Sequence, residues 1–432
     1  MPQEYSLILG LIWQIIRPWW WVVLPFILAK PLKFLWHYWR AEEWIKRQKM
    51  ILLEIKIPEE VLKPIRAMEI VFAGIWQAFY DPPNWWEEWV EGKFLLGFHL
   101  EVVSIGGEIH FLIRCPEYRR DIIESNVYSQ YPKAEISLAE DYTKYVPQDI
   151  PNKDWDSWAA DYSLLKPNPY PIKTYTEFEK ETEKEEEKRV DPIATLLELM
   201  AKVKPGEQLW VQISASPIAE EFAEPFFKEG KRIRDKLAKR PEVPQPRPMI
   251  QEAAEILITG KRAGEEEKPP EVFPPEMKLT PGEREIVAAL EKKISKPVFR
   301  TNIRFIYLGK RDVYFKPNLR LIFSFFASYF TENCNALVPW GQTITKIKQE
   351  WWNWFWFVDR RLYLRKRKLF RNYRERLDSF FPRSGKWPGV FILNTEELAS
   401  LFHFPGRAVA PAPGVSRVEA KRGEAPPELP TE

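Results

Sequence analysis

Apolar and polar positions along residues 50–58, MILLEIKIP, follow the short period of a strand. The period then changes. Val61, Ile65, Met68, Phe72, Ile75 and Phe79 recur at three- and four-residue steps, which predicts a helix with one apolar stripe. FHLEVVSIGGEIHFLIR (98–114) reads as two strands joined at Gly106-Gly107, the pair that supplies a positive-φ turn. Pro116 opens a second helix where its missing N–H costs nothing, with Ile122, Ile123, Val127 and Tyr131 facing inward. AEISL (134–138) closes the series as a fourth strand. The order β-α-β-β-α-β predicts an α+β fold built on a ferredoxin-like unit, an antiparallel sheet with two helices on one face.

Further along, IATLLELMAKV (193–203) predicts a helix and EQLWVQISA (207–215) a strand. GEREIVAALEKKI (282–294) and PVFRTNIRFIYLG (297–309) repeat that order. GEIHFLIRCPEYRRDII (107–123) and GEQLWVQISASPIAEEF (206–222) share the sequence Gly-Glu, strand, Pro, helix, which hints at a second unit of the same kind. LRLIFSFFASYF (319–330) is too short to cross a bilayer and is expected in the core. In FILNTEELASLFHFPG (391–406), Asn394 is placed to cap a helix with Glu397 as its reciprocal partner. Leu393 and Leu398 hold the staple positions, His403 is expected to pack at the helix end, and Pro405-Gly406 stops the helix.

The first residues change the picture. From Tyr5 to Ala29 the chain is almost wholly apolar, broken by Arg17-Pro18 and Pro25, and this predicts an N-terminal transmembrane helix. Trp19, Trp20 and Trp21 suit one interfacial belt, and Trp36 and Trp39 the other. Lys30, Lys33, Arg40, Lys46, Arg47 and Lys49 follow, so a single-pass protein of the cell membrane with its bulk in the cytoplasm is expected. The expected organisation is a membrane anchor and basic juxtamembrane helix (1–49), a first ferredoxin-like domain (50–175), and the start of a second α/β unit (176–235). A Pro/Glu-rich insertion (236–278), the completion of that unit (279–405) and a Pro-rich tail (406–432) follow.

Composition narrows the chemistry. Twenty Trp and 15% aromatic residues suit a membrane boundary or an interface, and a net charge of +3 does not by itself imply a nucleic-acid partner. Cys115 and Cys334 lie far apart in apolar contexts and are expected to be buried thiols; the four His form no metal-binding pattern. No Gly-Lys pair completes a phosphate-binding loop. The position of its first Gly is held by Glu87, Pro225, Glu255, Arg304 and Phe380 ahead of Gly92, Gly230, Gly260, Gly309 and Gly385. With no nucleophile elbow or dinucleotide fingerprint either, the expectation is a non-catalytic chain with no cofactor.

One charge feature stands out. DRRLYLRKRKLFRNYRER (359–376) carries Arg360, Arg361, Arg365, Lys366, Arg367, Lys368, Arg371 and Arg374, interleaved with Leu, Phe and Tyr. Such a pattern suits phosphates and bases, an anionic lipid surface or an acidic protein. It also suits a plain solvated face backed by Leu362, Leu364, Leu369 and Phe370.

LLEIKIPEEVLKPIRAMEIVFAGI (52–75), SIGGEIHFLIRCP (104–116), KPGEQLWVQI (204–213), RKRKLFRNYRER (365–376) and FILNTEELASLFHFP (391–405) together resemble one bacterial family. It is the membrane-anchored N-terminal module of type IV secretion-type conjugative DNA-transfer proteins, which precedes a HerA/TraG-like ATPase and has no assigned activity of its own. The resemblance implies a homo-oligomeric module that positions a DNA-translocating ATPase at the cytoplasmic membrane, with DNA as a further partner. No ATPase residue carries over, so the motor is expected on a separate or missing segment. The alternative is a self-sufficient membrane adaptor that recruits a cytosolic protein or binds anionic lipid.

Overall fold

The structure is a computed structural model that describes residues 20–58, 63–180, 191–218, 220–238, 279–315, 319–341, 343–347, 357–376, 389–406 and 415. Trp19 and the apolar run before it, most of the 236–278 segment, and the 406–432 tail apart from Gly406 and Val415 lie outside the described residues.

Strands β1 (Met50–Lys56), β2 (Phe98–Ile105), β3 (Glu108–Pro116) and β4 (Glu135–Leu138) stand in the order β4-β1-β3-β2, every neighbour antiparallel. The β2–β3 turn uses Gly106 at φ 61° and Gly107 at φ 99°, conformations that a side chain resists. The sheet does not stop there. Along its other edge β2 pairs with β6 (Glu207–Pro217), from Phe98 opposite Ala215 to Ile105 opposite Gln208. Next to β6 runs β7 (Val298–Lys310), then β5 (Trp155–Leu164) and β8 (Leu337–Pro339), while β9 (Phe391–Asn394) pairs with the start of β7.

Two expectations are corrected here. The fold is α+β and the first four strands keep the expected β-α-β-β-α-β order, but in place of separate ferredoxin-like sheets they form part of one antiparallel sheet of nine strands. An unpaired β2 would expose a row of backbone N–H and C=O groups, and β6 satisfies them instead. The predicted transmembrane helix is also overturned: among the described residues no helix is long and apolar enough to cross a membrane. Helix α1 (Trp20–Arg47) is long, but its apolar run from Val22 to Ala29, which includes Pro25, meets Lys30 and Lys33 within little more than two turns.

Both faces of the sheet are covered, so the central strands read as buried runs rather than simple alternation. All of β6 is buried. Its Leu209, Val211 and Ile213 point into the main core, whereas Trp210 enters a second cluster on the opposite face. Over the first face lie α2 (Arg66–Phe79), α3 (Arg120–Gln130), α5 (Ile193–Ala201), α8 (Leu319–Ala327) and α10 (Thr395–Leu401). Met68, Phe72, Ile75 and Phe79 of α2 form the stripe that meets the sheet, with Phe72 against Phe98 and Phe402. Burial of each such side chain contributes about 1.5–3 kcal/mol. The apolar 319–330 segment lies in this core through Ile322, Phe325, Phe326 and Tyr329.

The short helix α10 is tied down by charge. Asn394 accepts from the Glu397 N–H at 2.8 Å, and the Glu397 carboxylate accepts from the Asn394 N–H at 2.9 Å, a complete capping box. The other Glu397 oxygen meets Lys293 Nζ at 3.1 Å, both side chains being fully buried. Glu396 accepts from Lys292 and Lys296, each at 2.6 Å, and from Thr174 at 2.7 Å. His403 packs as expected, its ring between Ala399 O and Asp191.

Burial works against the Glu396 charge, yet the hydrogen bonds from Lys292, Lys296 and Thr174 overcome it and hold the carboxyl at about 2. A folded value below the ordinary 4.5 stabilises the protein fully above pH 4.5, and this stabilisation is lost as pH falls toward 2. Urea unfolding followed by circular dichroism between pH 5 and 2 should show that decline, and Glu396→Gln should flatten part of it; an unchanged slope would refute the assignment.

Candidate functional site: a basic helix mounted on the sheet

The basic stretch forms helix α9 (Val358–Arg374), lying across the second face of the sheet beside β5 and β7. Its seat is apolar. Leu369, Phe370 and Tyr373 are buried with Trp210, Ile306 and Leu308, and the rings of Tyr142 and Tyr373 flank Trp210 at 4.9 and 5.3 Å. The helix ends where Arg376 adopts φ 47°, a left-handed conformation that turns its side chain under the helix. There its guanidinium meets Glu101 at 2.7 and 3.1 Å, and Asp141 at 2.8 and 3.1 Å. Tyr142 and Gln212 also donate to Glu101, each at 2.8 Å. Burial disfavours the Arg376 charge, but Glu101 and Asp141 more than offset that and raise its pKa.

This lock belongs to a polar row across four strands: Glu101 of β2, Gln212 of β6, Arg304 of β7 and Asp161 of β5 occupy matching register positions. Arg304 lies 3.5 Å from Asp161 and donates to Asn302 and to the Asn372 carbonyl of α9. Burial raises the Asp161 carboxyl despite that neighbour. The sequence reading assigned no role to these residues; the signal that could have found them is the charged Glu101 set between Leu100, Val102 and Val103 in β2. His99 and Ser214 approach at 2.9 Å in the same layer. Both are buried within the sheet, so their contact is structural rather than a nucleophile–base pair open to substrate.

The eight predicted site residues divide into two groups. Lys366 faces the sheet and pairs with Asp156 at 2.6 Å. Arg365 donates to the Ile344 and Lys346 carbonyls, and Arg374 to Gln148. The remaining five, Arg360, Arg361, Arg367, Lys368 and Arg371, are exposed. At 100° per residue they occupy one outward side about 16 Å long. Among the described residues they have no acidic partner. Tyr363 and Leu364 lie exposed among them, so Leu364 is not part of the buried face that the sequence suggested.

The predicted membrane residues fall on α1. Trp36 and Trp39 are about half exposed and stack edge to face at 5.5 Å, and Trp36 Nε1 donates to the Trp89 carbonyl. Trp20 and Trp21 begin the same helix. Neither cysteine is activated: burial pushes the Cys115 thiol up to about 12 and raises that of Cys334 as well. Among the described residues no group of three or more His, Cys, Asp or Glu is placed to hold a metal.

Removing Arg376 leaves Glu101 buried without its cation. Arg376→Ala should therefore destabilise the protein by about 3–5 kcal/mol in urea unfolding, whereas Arg371→Ala on the outward side should shift stability by no more than about 0.5 kcal/mol. Comparison with known proteins gives no matching family and no similar curated protein.

Proposed function

We propose that the protein is a non-catalytic module of a DNA-translocation apparatus of the type IV secretion and conjugation kind. In this reading it contacts DNA through the outward side of α9 and positions a DNA-pumping ATPase supplied by another chain or segment. The observation that carries the reading is the row Arg360, Arg361, Arg367, Lys368 and Arg371, facing outward with no acidic residue between Asp359 and Glu375. Guanidinium and ammonium groups so arranged neutralise phosphates and release condensed counterions. Exposed Tyr363 adds a ring on which a base can stack. Contacts to phosphate carry no sequence information, which suits a machine that must pass any sequence through.

The resemblance of residues 52–75, 104–116, 204–213, 365–376 and 391–405 to the conjugative module supports the same reading, as does the lack of any phosphate-binding loop in the sequence. The mounting adds to it. Arg376, Tyr373 and Lys366 fix the helix to the sheet, so its cations are presented without the entropic cost of ordering a loose basic tail.

Fluorescence anisotropy with the full chain and duplex DNA should give an affinity that falls steeply with salt, with a log–log slope of roughly −0.9 per phosphate contacted. The double substitution Arg367→Glu/Lys368→Glu should weaken binding to all sequences alike and reduce that slope. A salt-independent affinity, or one that the double substitution leaves unchanged, would refute the proposal.

A further inference from the structure

The outward cations of α9 form two rows rather than one. At 100° per residue, Arg360, Arg367 and Arg371 fall within about 40° of one another around the helix, and Arg361 and Lys368 within about 20°. The rows are roughly 90° apart, which sets them about 8 Å from each other on a helix of about 6 Å radius. Between them, on the crest, stands Leu364, 53% exposed. The second row widens at its flank: Arg365 donates to the Lys346 carbonyl at 2.9 Å, and Lys346 itself is exposed. Burial and then the charge of Arg361 lower the Arg365 pKa, as expected where positive charge has no counter-charge beside it. The neighbouring acids are already engaged, Asp141 by Arg376, Asp156 by Lys366 and Glu375 by Arg374 at 3.2 Å. Asp359 opens the helix about 100° round from Arg360, off the arc that both rows share.

We propose that α9 lies lengthwise in the major groove of B-form duplex DNA, each row of cations on one of the two phosphate strands that border it. The inference rests on the DNA-contacting reading of α9 and narrows it to one form of nucleic acid. Shape selects the duplex. The presented surface is a convex ridge, and B-DNA offers a major groove about 12 Å wide, matched to a helix about 10–12 Å across. Cations down both flanks meet phosphates on both sides, while Leu364 on the crest meets base edges, where the thymine methyl is its natural contact. A-form RNA closes this route, since its major groove is deep and too narrow for side chains to read. A single strand is held instead in a groove where rings stack on bases in succession. Within α9 the one exposed ring is Tyr363, which stands beside the ridge with its hydroxyl accepting from Arg367 at 3.1 Å.

The test is fluorescence anisotropy of the full chain with a DNA duplex, its single strand and a double-stranded RNA of equal length, across one salt series. The DNA duplex should bind about tenfold or more tightly than either rival. On the bound duplex, dimethyl sulfate should find guanine N7 protected in the major groove. Adenine N3, in the minor groove, should stay as reactive as in free DNA. Arg360→Ala/Arg371→Ala and Arg361→Ala/Lys368→Ala take exposed cations from opposite rows, and each should lower the log–log salt slope by about 1.8. Equal affinity for the single strand or the RNA, protection at adenine N3 instead of guanine N7, or a row whose removal leaves the slope unchanged would each overturn this inference while leaving DNA binding by α9 in place. No binding to any of the three nucleic acids would refute the proposed function as well.

Discussion

Pairing of β6 with β7 is the constraint from which the rest of the architecture follows. Eleven residue pairs, from Glu207 opposite Gly309 to Pro217 opposite Phe299, join strands that are nearly a hundred residues apart in the chain. Because β6 also takes up the free edge of β2, the same strand fuses the first four strands to the later five. A slip of one residue would exchange Leu209, Val211 and Ile213 with Trp210, Gln212 and Ser214, placing polar groups in the main core. Register is thus fixed by two different faces at once. One face needs aliphatic contacts, and the other needs the polar row that receives α9.

That polar row explains why buried charge is tolerated here. A desolvated ion is expensive, and Glu101 is affordable only because Arg376, Tyr142 and Gln212 meet it together. The same logic governs Glu397 and Lys293 at the other side of the sheet, where burial pushes the carboxyl up and the amine down while each supports the other's charge. Neither network adds much stability over an apolar substitute. What they add is position: a helix end can satisfy Glu101 in one place only, so α9 has a single seat.

The sequence made short-range features legible and long-range ones opaque. Gly106-Gly107, the Asn394–Glu397 box and the apolar stripe of α2 are each written within a few residues, and each appears in the structure. The continuation of the sheet past β2 was not readable, because an edge carries no mark of the strand that will cover it. Strand β5 was missed for a related reason. WDSWAADYSL contains two aspartates that look solvated until Lys366 and Arg304 arrive from elsewhere in the chain. The expected span failed differently: most of the apolar opening lies outside the described residues, and within α1 Lys30 ends the apolar run, so no described helix is long and apolar enough to cross a membrane. In the basic stretch, the pattern revealed the charges but not their division into five outward cations and three that serve the fold.

This division bears directly on what α9 can do. A helix whose cations all faced solvent would gain contacts to an anion only by giving up freedom of motion. Here Lys366, Arg365 and Arg374 bind the helix to Asp156, the 344–346 backbone and Gln148, and Arg376 locks its end. The left-handed backbone at Arg376 costs on the order of 1 kcal/mol, a cost sustained because the residue both ends the helix and fills the Glu101 site. The backbone positions that carry the outward cations therefore keep their spacing whether or not an anion is present. Preorganisation of this kind favours a polyanion of regular charge spacing over isolated anions, since only the former can engage several fixed cations at once.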